Sequence, residues 1–369
     1  MKSATLFSGF EGVGIGMRAA GLEHAWGVEY DDTIAAVARL NGFHTHTLNI
    51  LDADPALFER VEVLHASPPC PNFSVAKAGA KETENDLALA RKTADFIEII
   101  RPKYFTLENV YAYRNSESWQ IISNRLYTCG YWLDMQHVNF ANLGVAQTRQ
   151  RMIVRAVHNG FVPYLPKAEP WQGWYQAIED LIPTLPASKF APWQLARLPD
   201  EIKETFIMEP TEMRDNGATR RANEPIMTIK ASRHENFRAF IFDSANAKSN
   251  GDRKYRLDAE PCKTITASDG LGHKAFIVDG INGGNFGADI TTKTEDNPIW
   301  TITSNIHKGI PRAWLSQGRV VKMTPRALAR FQSFPDWFQL PERGALACKG
   351  IGNAVPPLGM EKIYRALLG

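Results

Sequence analysis

The sequence predicts an α/β protein, with a doubly wound, mostly parallel sheet joined to a second, smaller β-rich domain. Three observations lead there. Strand-like and helix-like patterns alternate over the first 157 residues, and the first strand runs into a glycine-rich turn. From about Val162 the texture turns proline- and tryptophan-rich, and an internal repeat follows. Alternation of this kind builds a parallel sheet covered by helices, because a crossover is needed between parallel strands.

In chain order the strand candidates are "ATLF", "AWGVEY", "VEVLHA", "YFTLEN", "YWLDMQHV" and "RMIVRAV". Short apolar runs bounded by turn residues suit strands buried on both faces. Between the second and third lies "DDTIAAVARLNG", which Asp31 or Asp32 can cap at its start and Gly42 at its end. The run "DLALARKTADFIEIIRP" puts Leu87, Ala90, Ala94, Ile97 and Ile100 on one helical face and stops at Pro102. The C-terminal "MEKIYRALL" is expected to return to the first domain. The predicted division is therefore residues 1–160 plus 319–369 for one domain and 161–318 for the other.

A chain of 369 residues is long for one core, which fits two domains. Hydrophobic content of 44% and charged content of 22% are ordinary for a soluble protein. No apolar run is long enough to span a bilayer, and "MKSATLFSGF" lacks the apolar stretch of a signal peptide, so a cytoplasmic protein without a membrane partner is expected. Cys70, Cys129, Cys262 and Cys348 are scattered with no C-x-x-C spacing. That argues against a zinc site and a disulfide framework, and no metal is expected. Residues 211–330 hold 19 Lys and Arg against 13 Asp and Glu, while the rest hold 23 against 27. A basic segment on a mildly acidic body suits polyanion binding, although chance surface variation gives the same counts.

The repeat lies in the basic segment. "EPIMTIKAS", "EPCKTITAS" and "NPIWTITS" place prolines at 225, 261 and 298, in steps of 36 and 37 residues. Each unit has Pro-x-x-Thr-Ile, then a loop with one histidine (His234, His273, His307), and closes in "FRAFIFD", "HKAFIVDG" or "PRAWLSQG". These read as short strands in a small β-rich domain whose equivalent loops face a common ligand. Spacings of this size give no local ligand geometry, which disfavours a metal site on the histidines.

Four stretches carry chemistry. In "ASPPCPNFS", prolines 68, 69 and 71 frame Cys70 at the tip of an apolar strand, where α/β proteins place their sites. In "LFSGFEGVGIGMRAAGL", Gly9, Gly12, Gly14 and Gly16 let the backbone turn tightly beside a ligand. Glu29, twenty residues past Gly9, ends a strand where an acid can hydrogen-bond a ribose. A dinucleotide fingerprint would need glycine where Met17 stands, so a nucleoside cofactor without a pyrophosphate fits better than NAD. "TLENV" brings Glu108 and Asn109 to another strand tip, where a buried carboxyl needs a partner or a task. The strand bearing it is expected to neighbour the strand that leads to Cys70. In "GVAQTRQRMIV", Gln147, Arg149 and Arg151 share one face of an extended segment.

Together these stretches resemble the DNA (cytosine-5) methyltransferases. The resemblance rests on "FSGFEG", "PPCPNFS", "ENV", "QTRQR", "RALARFQSFPDWF" and "GIGNAVPP", in that order, covering roughly residues 3–157 and 319–365. It implies a Rossmann-like, S-adenosyl-L-methionine-dependent catalytic domain with a target-recognition domain inserted. The implied reaction moves a methyl group from S-adenosyl-L-methionine to carbon 5 of a cytosine flipped out of double-stranded DNA. Cys70 would add to carbon 6, Glu108 as the carboxylic acid would hold ring nitrogen 3, and Arg149 and Arg151 would hold the base oxygen and the loop. The resemblance assigns cofactor contacts to Phe7, Gly9, Phe10, Gly12, Glu29, Tyr30, Asn49, Ile50, Pro69, Asn353 and Ala354. Ser74, Gln147, His234, His273 and His307 are expected to meet the DNA or the target base. A cognate restriction endonuclease fits such an enzyme, and a monomer is expected.

Some positions depart from the family pattern. Thr5 and Glu11 stand where aspartate and glycine are common in the cofactor loop. Asn49 replaces a frequent aspartate, Pro71 a frequent glutamine and Ala327 a frequent glutamate. The competing readings are an RNA cytosine-5 methyltransferase of similar fold and an inactive DNA-binding regulator. The long 160–318 insert favours duplex DNA, and the presence of Cys70, Glu108 and both arginines speaks against an inactive protein.

Overall fold

The computed structural model describes residues 1–69, 82–187 and 321–369 with their side chains. For Ser188 and for short strands between 207 and 320 it describes the backbone alone. Cys70, Ser74, His234 and His307 lie outside the described residues, and His273 is described only as part of a strand backbone.

The first 158 residues alternate as expected. Strands β1 (Lys2–Leu6), β2 (Glu23–Glu29), β3 (Thr45–Thr47), β4 (Val63–Ala66), β5 (Tyr104–Asn109), β6 (Tyr131–Asn139), β7 (Gln147–Thr148) and β8 (Gln150–His158) follow in order. Helices α1 (Gly12–Ala19), α2 (Asp32–Leu40), α3 (Glu84–Ile100) and α4 (Glu117–Thr128) lie between them. The sheet order is β3-β2-β1-β4-β5-β8-β6. β1 to β5 are mutually parallel, while β8 runs antiparallel to both its neighbours. Chain order reverses direction between β1 and β4, and the loops leaving their C-terminal ends open a crevice there.

Strand alternation divides the core between the two faces of the sheet. Leu6, Leu64, Phe105, Leu107 and Val154 pack with Phe96 and Ile97 of α3 and Ile122 of α4. Val63, Tyr104, Ile153 and Val157 pack on the other face with Val13 and Met17 of α1. The C-terminal helix packs on that second face. Following α5 (Trp174–Ile178), the tail forms α6 (Pro325–Phe331), α7 (Gly344–Asn353) and α8 (Pro357–Leu368). Met360, Ile363, Tyr364 and Leu367 of α8 are all at most 2% exposed. Burying four such side chains stabilises the fold by roughly 1.5–3 kcal/mol each before entropy is counted.

Local signals explain the helix ends. Asp31, rather than Asp32, caps α2 by accepting from the Thr33 and Ile34 N–H groups. Thr83 and Asp86 form a reciprocal capping box, so α3 begins two residues before the run that the sequence suggests. Strand β3 is three residues long and was not among the expected strands.

The closing segments of the three repeats are strands, as expected. Ile241–Asp243 pairs antiparallel with His273–Val278, which pairs antiparallel with Arg312–Leu315. Units 36 and 37 residues apart in sequence thus bring their equivalent segments side by side. Ile299–Trp300, in the third unit, pairs in parallel with β7. Among the described residues no helix is long and apolar enough to cross a membrane, and no three His, Cys, Asp or Glu side chains form a metal-ligating group.

Candidate active site

The crevice is bordered by the β1–α1 loop on one side and by the tip of β5 on the other. On the first, the β1–α1 loop turns through three left-handed residues, Phe7 (φ 59°), Gly9 (φ 55°) and Glu11 (φ 57°). For phenylalanine and glutamate that conformation costs on the order of 1–3 kcal/mol each, and such strain clusters at ligand sites. Open space surrounds the position where a Gly9 side chain would stand, so ligand can approach the backbone there. Glu29, only 8% exposed, accepts from the Gly9 N–H and the Asp31 N–H at 3.0 Å each. Burial pushes the Glu29 carboxyl up from its ordinary range, against the pull of those backbone donors. Tyr30 beside it is exposed, and Ile50 is buried. Asn49 caps the turn Ile50–Asp52 by accepting from the Leu51 N–H.

The remaining glycine-loop positions do different work. Phe10 is fully buried, with its ring against Gly350 and 5.9 Å from Phe338, so only its backbone is left for a ligand. A side chain on Gly12 would collide with the Val355 carbonyl, and one on Gly16 with the Pro357 carbonyl. These two glycines admit the C-terminal segment against α1, a packing role that their spacing alone does not reveal.

On the second side, Glu108 sits one residue from the end of β5 and is 6% exposed. Its Oε1 lies 3.0 Å from Arg151 Nε and 3.7 Å from Arg149 Nη2. The two arginines are 9% and 3% exposed, so low surrounding polarity strengthens the pairing. The strand tip therefore presents a carboxyl group flanked by two guanidinium groups, a pairing that the sequence does not state. Arg149 also donates to the Gly352 carbonyl, tying it to the end of α7. Gln147 is fully buried, with no hydrogen-bond partner for its amide among the described residues.

Adjacency of β4 and β5, expected from the sequence, is observed, with Ala66 opposite Leu107. It places the root of the proline-framed loop beside Asn109, whose Nδ2 donates to the Pro68 carbonyl at 3.1 Å. Pro68 is buried and Pro69 exposed. A second, deeper connection was not read from the sequence. His65 Nδ1 is 2.8 Å from Thr106 Oγ1, and its Nε2 is 2.7 Å from Ser67 Oγ. Thr106 Oγ1 is in turn 2.7 Å from the Tyr364 hydroxyl of α8. Burial pushes the imidazole down to about 3, so it is neutral and one ring nitrogen must accept. The neutral ring offers one donor and one acceptor in either tautomer, so the Tyr364 hydroxyl, Thr106, His65 and Ser67 form one connected network. Polar His65 and Thr106 inside otherwise apolar strands were the available signal.

The C-terminal motif residues support the crevice. Gln332, after α6, is fully buried and donates to the Ile351 and Ala354 carbonyls at 3.1 and 2.6 Å. These bonds hold the turn that exposes Asn353 and buries Ala354. Arg326 donates to the Pro335 and Phe338 carbonyls, and Arg330 pairs with Asp336 and Asp180.

Comparison with known proteins agrees with this geometry. The family model for C-5 cytosine-specific DNA methylases matches residues 1–369. Type II methyltransferase M.AplI of Arthrospira platensis is 26% identical over 369 residues, covering 98% of this chain and 84% of that one. Type II methyltransferase M.NgoPII of Neisseria gonorrhoeae is 33% identical over 163 residues, 41% of this chain and 46% of its own. The crystal structure of the S. pombe Dnmt2 methyltransferase shares the fold, with a TM-score of 0.56 at 12% identity, covering 100% of this chain and 98% of that one. A family match over the whole length, on a shared fold, leads to one conclusion: the chain belongs to the C-5 cytosine-specific DNA methylases.

Proposed function

We propose that this DNA (cytosine-5) methyltransferase acts on a cytosine flipped out of the duplex, with Cys70 as nucleophile and Glu108, Arg149 and Arg151 around the base. The observation that carries the reading is the Glu108 carboxyl at the β5 tip, held between two buried arginines. Asn109 next to it binds the root of the loop that leads to Cys70.

The residues on the other side of the crevice fit S-adenosyl-L-methionine. Gly9 leaves backbone open to a ligand, and Glu29 is held at the end of β2 against the Gly9 loop, in position for ribose hydroxyls. Phe7, Tyr30, Asn49, Ile50 and Pro69 would frame the adenosine, with the Asn353–Ala354 turn closing the far side. When bound, this donor supplies an electrophilic methyl group.

The chain's own residues account for the rest. The Cys70 sulfur adds to carbon 6, and the electron pair displaced from the 5,6 double bond makes carbon 5 nucleophilic. Glu108 binds ring nitrogen 3, while the guanidinium groups stabilise charge gathering on the base. After carbon 5 is methylated, water acting as base takes its proton, and the electrons of that C–H bond restore the double bond and expel the thiolate. The insert would grip the flanking DNA, and the pairing of Ile299–Trp300 with β7 sets part of it beside Gln147. Similarity to type II methyltransferases favours a cognate restriction endonuclease as partner.

Tritiated methyl transfer tests the reading. The wild-type protein is expected to label duplex DNA and not tRNA, with Cys70→Ala abolishing transfer and leaving DNA retention intact. Label on tRNA alone, or turnover by Cys70→Ala, would overturn it.

A further inference from the structure

We infer that Glu11 is a positioning residue for the methyl donor, its carboxylate locking the glycine loop from beneath in the shape that receives the cofactor. The inference rests on the cofactor reading above.

The Glu11 side chain is fully buried, so it touches no ligand itself. Thr5 Oγ1 lies 2.9 Å from each of its carboxylate oxygens, Thr45 Oγ1 lies 3.4 Å from Oε1, and His24 Nε2 lies 3.2 Å from Oε1. Thr5 is on β1, His24 on β2 and Thr45 on β3, so one carboxylate ties three strands to the loop. Two glycines make its slot. A side chain on Gly27 would collide with Oε1, and one on Gly14 would come within 2.5 Å of Oε2.

The backbone gives a second, separate sign. Glu11 adopts φ 57°, a region where glycine would be unstrained, yet it makes no side-chain capping bond to α1. The strain is therefore held for the sake of the buried carboxylate. Two residues away, Gly9 donates to Glu29, so fixing Glu11 fixes the ribose-binding acid through the same loop.

The contact with Thr5 explains why the two departures in this loop occur together. Thr5 Oγ1 is in contact with both carboxylate oxygens, so an acid grown from residue 5 would occupy the same slot as Glu11. One carboxylate fits there, and it arrives from residue 11 in this chain.

Calorimetric titration of the full-length protein with S-adenosyl-homocysteine tests this without turnover. Glu11→Gly is expected to weaken binding roughly ten- to a hundredfold, the worth of buried hydrogen bonds to a charged group. With saturating cofactor and DNA, its kcat should stay within about threefold of wild type, because the residue acts on the loop rather than on the reacting atoms. Thr5→Asp, which crowds a second carboxylate into the slot, should also weaken binding. Combined Thr5→Asp and Glu11→Gly should restore affinity to within about threefold of wild type, a strong coupling between contacting sites. Unchanged affinity in Glu11→Gly, or a double variant no tighter than Glu11→Gly, would overturn the inference while leaving the cofactor reading intact. Wild-type protein that binds no S-adenosyl-homocysteine would remove that reading and the inference with it.

Discussion

Glu108 shows how far a residue can be read from its position in a strand. An acid at the end of "YFTLEN" signals a task, because a buried carboxyl without a partner is costly. What the sequence does not state is the pairing, since Arg149 and Arg151 reach Glu108 only through the antiparallel register of β5 with β8. The same limit hid Asn109 to Pro68, 41 residues apart, and the chain from Tyr364 through Thr106 to His65, whose steps span 258 and 41 residues. Glu108→Gln keeps the shape but not the acid. It should lower the single-turnover rate of methyl transfer roughly 10²–10⁴-fold. Affinity for S-adenosyl-homocysteine should stay within about threefold, since the arginine-flanked carboxyl lies away from Glu29 and Gly9. An unchanged rate would take Glu108 out of the mechanism.

Helix α2 links an element's local signal to the long-range closure of the fold. The Asp31 cap is legible in "DDTIAAVARLNG", but its partner Lys349, 2.7 Å away at α7, is not. Burial opposes charge on Asp31, yet Lys349, the Thr33 hydroxyl and the Ile34 N–H hold its carboxyl at about 2, below the ordinary 3.8. A depressed carboxyl contributes stability above its unfolded value and loses it as pH falls through the folded one. The advantage of wild type over Asp31→Asn in urea midpoint should therefore be constant above pH ~5 and shrink between about pH 4 and 2. Because other carboxyl groups are common to both proteins, they cancel in the difference. A gap that persists unchanged to pH ~3 would refute the tether. Longer signals were equally readable here, as in the Gly42 end of α2 and the Pro102 stop after α3. The three residues of β3 carry too little pattern to announce a strand.

For the molecule as a whole, alternation of strand and helix patterns was enough to read a mostly parallel sheet with helices on both faces. Strand order was not readable in full. The reversed β8 between β5 and β6 follows from pairings between segments that no local pattern connects. Motifs at opposite ends of the chain meet because α8 and the segment before it close over α1. Glycines first read as room for a ligand, Gly12 and Gly16, turn out to make room for that closure. The same architecture brings Glu29, Glu108 and the root of the Cys70 loop to one crevice, where a single covalent event is expected. Duplex DNA carrying 5-fluorocytosine at the target position tests it most directly, because fluorine cannot leave carbon 5 as a proton does and the sulfur bond persists. With S-adenosyl-L-methionine present, the protein should become covalently joined to that DNA, and peptide mapping should place the link at Cys70. No adduct, or one on Cys129, Cys262 or Cys348, would contradict the account.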